Sequence, residues 1–102
     1  MNAAPESRPY NDFSFIKREF VKVDGSTITF KIQDGPIKEF GINGCQVDAI
    51  IEVAKDMLES FNKRFPCQEN EYAIRSLSES LAALEVRKQN REKRGVEGHD
   101  KR

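Results

Sequence analysis

Three arginines, Arg87, Arg91 and Arg94, recur at spacings of four and three residues and so share one stripe of a helix. Lys88 and Lys93 widen the stripe, and the segment 86–94 holds five cations against one carboxylate, Glu92. Arginines one turn apart can fork around a phosphate or pyrophosphate through bidentate, charge-assisted hydrogen bonds. The plainer reading is that cations near a helix C-terminus complement the macrodipole, worth about 0.3–1 kcal/mol each. A second cluster is the string FNKRFPCQEN over 61–70. Phe61 and Phe65 are spaced to share a helix face, and Asn70 falls in the first turn of the next helix. An exposed phenyl beside an asparagine suits adenine recognition: the ring stacks on the base, while the amide accepts from N6 and donates to N7. Here too a structural alternative stands, with Phe61 in the core, Phe65 plugging a corner and Asn70 capping.

Enzyme chemistry finds little support. The single histidine, His99, lies in a polar tail, which leaves Cys–His, Ser–His–Asp and histidine-metal arrangements without a base or ligand. The carboxylates sit mostly beside Lys or Arg, as on solvated helix faces, and no GxGxxG or P-loop pattern occurs. No catalytic residue, metal ligand or cofactor is expected.

The elements that must position the two clusters follow from patterning. The chain has 102 residues, enough for one domain. Its 17 basic and 17 acidic residues cancel, which argues against coating a nucleic-acid polymer through net charge. With 37% hydrophobic and 33% charged residues the core is thin, and a core completed between subunits is expected. Cys45 and Cys67 are too few for a disulfide framework, no apolar run approaches a membrane span, and the start MNAAPESRPYND carries no leader-like apolar run. A cytoplasmic protein without membrane partners is expected.

Residues 1–12 read as a loose arm. From 13 to 42 the chain is rich in β-branched and aromatic residues, predicting a small antiparallel β-meander. Asp24-Gly25 predicts a type I′ hairpin turn, and Ile28, Phe30 and Ile32 alternate with Thr27, Thr29 and Lys31. The irregular parity of Phe13, Phe15, Ile16 and Phe20 predicts a bulge or burial on both sides. Asp34-Gly35-Pro36 makes a second turn, with IKEFGI able to return as a third strand. Asn43 and Gln46 fit a capping box opening a helical hairpin over 43–94. Val47, Ile50, Ile51, Ala54, Met57, Leu58 and Phe61 line one helix face to about Arg64. Phe65-Pro66-Cys67 breaks the helix, and a second runs from near Gln68 to about Arg94, leaving 95–102 as a tail. The fold class is α+β: a β-meander followed by a long antiparallel helical hairpin, in an oligomer. In such a hairpin the Phe–Asn corner and the arginine end lie at opposite ends, and antiparallel packing of two subunits would bring them together.

Four strings carry a resemblance to a known family: DGPIKE at 34–39, NGCQ at 43–46, PCQEN at 66–70 and RKQNREKRGVEG at 87–98. Together they make residues 26–99 resemble the phage anti-Thoeris signal-sponge family, which is related to the phage anti-CBASS cyclic-oligonucleotide sponges. The resemblance implies a non-enzymatic protein that holds glycocyclic ADP-ribose, the signal made by bacterial TIR proteins, and so keeps the Thoeris effector inactive in the infected host's cytoplasm. It also implies cyclic di- or trinucleotides as ligands of separate sites, and a dimer or trimer of dimers. By matched position it implies that Asn70 and Phe61 hold the adenine part, Arg87 and Arg91 grip the phosphates, and Arg94 with the RGVEG stretch closes a site; Lys38 is a further ligand candidate. The chain departs from the family pattern at Ala82-Ala83, where a Met-Trp pair is common, and at Lys88, where a Thr is common. The competing readings are a small nucleic-acid-binding or regulatory oligomer using the basic helix end, and a purely structural scaffold.

Overall fold

The structure, a computed structural model, describes residues 11–94. Most of the expected arm over 1–12 and the tail over 95–102, with all of RGVEG but Arg94, lie outside the described residues. The described elements run β1 (Val21–Asp24), β2 (Thr27–Phe30), α1 (Ile37–Phe40), α2 (Val47–Arg64) and α3 (Gln68–Lys93). This is an α+β chain with a two-stranded antiparallel sheet ahead of a helical hairpin. The molecule is elongated, 52 × 28 × 16 Å.

The hairpin pairs Val21 with Phe30 and Asp24 with Thr27. The turn is therefore Gly25-Ser26, not Asp24-Gly25. Gly25 has φ +59° while Ser26 is not among the residues with positive φ, which is the type II′ pattern with glycine first rather than the expected type I′. Asp24 is drawn into the ladder because that register puts Val21, Val23, Ile28 and Phe30 on one face, where they pack against the core. The irregular first arm is not a strand. Phe13 and Ile16 are both buried within a turn whose Phe13 N–H donates to the Gly25 carbonyl at 2.9 Å. Phe20 takes the left-handed φ of +65°, bending the chain into β1.

The third strand is absent, and IKEFGI forms the single turn α1. Pro36, with φ −65°, is preset to start a helix, and its carbonyl accepts from Glu39 and Phe40 N–H. Gly41 at φ +70° then stops it. What joins this segment to the hairpin is one parallel bridge, Ile32 to Cys45, with Cys45 N–H donating to the Lys31 carbonyl at 2.7 Å. The expected capping box also fails. Gln46, not Asn43, is the N-cap and makes no side-chain cap bond, because the Asn43 side chain is spent on Asp34.

α2 and α3 pack against each other along the hairpin. Among the described residues the buried hydrophobics are Phe13, Ile16, Cys45 and Val53. Val53, 2% exposed, lies outside the expected stripe, whereas the expected Val47 and Ile50 are exposed. The register shifts because α2 is covered on two sides, by α3 and by the 13–30 segment, and Val53 with Met57 and Phe61 faces the latter. An ion-pair clasp ties the same two parts. Arg18 Nε donates to Asp56 Oδ2 at 2.9 Å, Nη2 to Asp56 Oδ1 at 3.1 Å, and Nη1 to Glu52 Oε1 at 3.3 Å. The Asp56 hydrogen bond raises the guanidinium pKa above its ordinary value, against a smaller opposing effect of burial.

Two changes test this packing. Gly44→Ala places a Cβ against the backbone of Ile32 and Gln33, neither of which can retreat without breaking the bridge beside Cys45. Thermal or urea unfolding should show a loss of about 2 kcal/mol or more. Arg18→Ala removes a bidentate but partly solvated contact and should cost only about 1 kcal/mol in the same assay.

Candidate functional site

α3 positions the cations. It has 26 residues against 18 in α2, and the three-residue link makes their ends flush at the corner. The far end of α3 therefore projects about eight residues, about 12 Å, past the start of α2. The arginine stripe lies on this projection. Arg87 and Arg94 are exposed and, with Lys93, Asn90, Val86 and Ala83, line an open groove of about 640 Å³. Among the described residues, three cations and no carboxylate line it. Arg91 is different: it is 8% exposed, the only buried charged residue among those described, and it is engaged within the chain.

Arg87 also borders a second groove of about 240 Å³ between α3 and the start of α2, beside Lys88, Gln46 and Leu84. Asp48, Glu52 and Glu85 line it too, so its charge is mixed. Arg87 is thus the cation common to both spaces. A third groove, about 720 Å³, runs beside the Arg18–Asp56 clasp. Sequence reasoning missed Arg18, Glu52 and Asp56, since contacts spanning 34 and 38 residues leave no local spacing signal.

At the corner the two phenylalanines differ in their surroundings. The Phe61 ring meets Phe13 edge-on, with centroids 6.0 Å apart and planes at 71°, inside the core packing. Phe65 is 63% exposed. Asn70 adjoins Phe65: its Nδ2 donates to the Phe65 carbonyl at 3.3 Å, and its backbone N–H donates to Cys67 Sγ at 3.4 Å. Cys67, not Asn70, is the α3 N-cap, and its own N–H is held by Asn62 Oδ1 at 3.1 Å. One N–H of the Asn70 amide and its Oδ1 remain for a base edge. Lys38 is exposed on α1 and lines none of the three grooves.

Asn70 and Arg87 are separated by about 25 Å along α3, so a single protomer does not bring the corner and the arginine end together. What each end offers is clear chemically. One has an exposed ring and an amide; the other has a cationic groove.

Fold and grooves define a small α+β protein with a long helical hairpin and a cationic groove at its overhanging end. No family model matches the chain. Over 79 residues, 76% of its length, it is 42% identical to Thoeris anti-defense 1 of Bacillus phage SBSphiJ7. The chain belongs to this anti-Thoeris family. The match spans 56% of the relative's length, just over half. No described helix is long and apolar enough to cross a membrane.

Burial separates the arginines experimentally. Arg91→Ala should lower stability by about 1–3 kcal/mol, because it removes a buried, engaged guanidinium. Arg87→Ala, at an exposed position, should stay within about 0.5 kcal/mol of wild type. Parallel urea titrations of the two variants make the comparison.

Proposed function

We propose that the chain is a non-catalytic phage anti-Thoeris protein that sequesters a cyclic ADP-ribose-type immune signal, glycocyclic ADP-ribose, in the cytoplasm of the infected host. Cyclic oligonucleotides are a second ligand class under the same reading. Family membership supports the anti-defence role. The observation that carries the ligand is the overhang groove, where Arg87, Lys93 and Arg94 converge with no carboxylate among the described lining residues. A pyrophosphate-containing ligand matches that charge, and arginine forks match its oxygens. Arg91, one turn from Arg87, would brace the grip from its buried position.

A sponge must outcompete the effector's receptor, which calls for nanomolar binding or better, about −12 kcal/mol. A dinucleotide-sized ligand reaches that only when largely enclosed. The grooves of one protomer are open, so enclosure comes from a second copy packed antiparallel, its Phe65–Asn70 corner set over this copy's arginine end. A dimer or trimer of dimers provides this. Sequestration needs no general acid or nucleophile. A net charge of zero with a local cationic groove suits one small anion rather than a nucleic-acid polymer.

Incubation with lysate from infected, Thoeris-bearing cells, followed by heat release and mass spectrometry, should return the signal chemically intact. A ligand recovered in altered form would contradict sequestration. Calorimetry with purified glycocyclic ADP-ribose should show Arg87→Ala binding about tenfold to over a hundredfold more weakly, with an unchanged fold. Arg87→Lys should not restore full affinity, because an ammonium lacks the planar fork. Unchanged affinity in Arg87→Ala would place the site elsewhere.

A further inference from the structure

α2 carries two carboxylates one turn apart, Glu52 and Asp56, and Arg18 reaches across from the turn before β1 to hold both. Like charges at this spacing repel, so a cation that spans them relieves a strain of the helix itself. The guanidinium meets Asp56 twice, at 2.9 and 3.1 Å, and Glu52 once, at 3.3 Å. Glu52 is the looser half of the clasp.

Glu52 also lines the groove of about 240 Å³ where Arg87 and Lys88 stand. Two further carboxylates line that groove, and each has a donor of its own. Asp48 Oδ1 accepts from the Ala49 N–H at 2.9 Å, and Glu85 Oε2 accepts from Gln89 Nε2 at 3.3 Å. Among the described residues, every acid of the groove is therefore engaged by another group, and Arg87 has no hydrogen bond or ion pair.

The loss of Arg18 would change that balance. Helical side chains lean toward the N-terminus of their helix. From Glu52 this is the direction of the groove, whose other α2 residues are Val47 and Asp48. A released Glu52 would be a part-buried carboxylate with Asp56 repelling it from behind and uncommitted cations ahead. A guanidinium takes a carboxylate through two parallel bonds, which an ammonium cannot do, so Arg87 is favoured over Lys88 as its partner. Once paired there, Arg87 is lost to the overhang groove that it also lines.

We propose that Arg18 is a positioning residue for Arg87: by holding Glu52 beside Asp56 it keeps that carboxylate from pairing with Arg87, which stays open to a phosphate. Arg18 itself touches no ligand in this arrangement. The inference rests on the sponge reading for the identity of the anion, whereas the competition for Glu52 does not depend on it.

Nitrogen–proton spectra of the full chain test it without any ligand, through the Arg87 Nε–H signal, identified by its loss in Arg87→Lys. Arg18→Met keeps the side-chain stem and removes the charge; it should shift this signal and slow its exchange with water. Adding Glu52→Gln to Arg18→Met should return both to wild-type values. Calorimetry with inorganic pyrophosphate as the probe should show Arg18→Met binding about two- to fivefold more weakly, and Arg18→Met/Glu52→Gln binding as wild type does. Asp56→Ala breaks the two shorter bonds of the clasp but leaves Arg18 on Glu52. It should lower stability without weakening pyrophosphate binding, a separation that a merely loosened fold would not produce. Should Arg18→Met fail to fold, Arg18→Lys replaces it, because one ammonium lacks the fork that spans both carboxylates, and the same pattern is expected in smaller size. An Arg87 signal unmoved by loss of Arg18, weakened binding that Glu52→Gln does not recover, or equal weakening in Asp56→Ala would each overturn the inference. A signal that moves and returns, in a chain that binds neither pyrophosphate nor glycocyclic ADP-ribose, would uphold the competition and count against the sponge.

Discussion

Three residues, Phe65, Pro66 and Cys67, join helices of 18 and 26 residues, and so short a link leaves the second helix no course but back along the first. The pyrrolidine of Pro66 keeps Phe65 out of helical geometry, and Phe65 ends α2 at ψ +73°. Asn62 and Asn70 then close the corner from either side, one accepting from the Cys67 N–H, the other donating to the Phe65 carbonyl. With the two helices flush there, their difference in length must emerge entirely at the far end. The cationic overhang, its groove and the distance of that groove from the corner all descend from this one link.

The same geometry accounts for the weakness of the core. Among the described residues α3 buries only Arg91, and α2 must serve both α3 and the β-hairpin. Val53, Met57 and Phe61 face the hairpin side, where Phe13 and Ile16 complete the cluster among the described residues. The Arg18 clasp to Asp56 and Glu52 adds directional contacts across that interface, but at a partly solvated position its yield is modest.

Exposure distinguishes residues that look equivalent along α3. Arg87, Arg91 and Arg94 share a stripe, yet Arg91 is buried while the other two border open space. A guanidinium engaged within the fold is held in one arrangement. Exposed guanidiniums retain their hydration until something replaces it.

The helical hairpin, its break and the arginine stripe were legible in the chain because they rest on local rules: a 3.6-residue period, a proline's fixed φ, and cations spaced one turn apart. The two-stranded hairpin was legible as a pairing, though not its turn, since the register was chosen by which residues reach the core. The strand expected over 37–42 became a helical turn because Pro36 presets helical φ and Gln33 Nε2 claims the Gly41 carbonyl that a strand would have paired. Phe61 and Phe65 carry the same ring at equivalent spacing, and only the position of Phe13, 48 residues earlier, turns the first inward and leaves the second exposed. Local sequence thus determined which elements form and where charge accumulates along them. Tertiary structure decided which of those side chains meet water, because burial depends on what residues far away in the chain are packed against them.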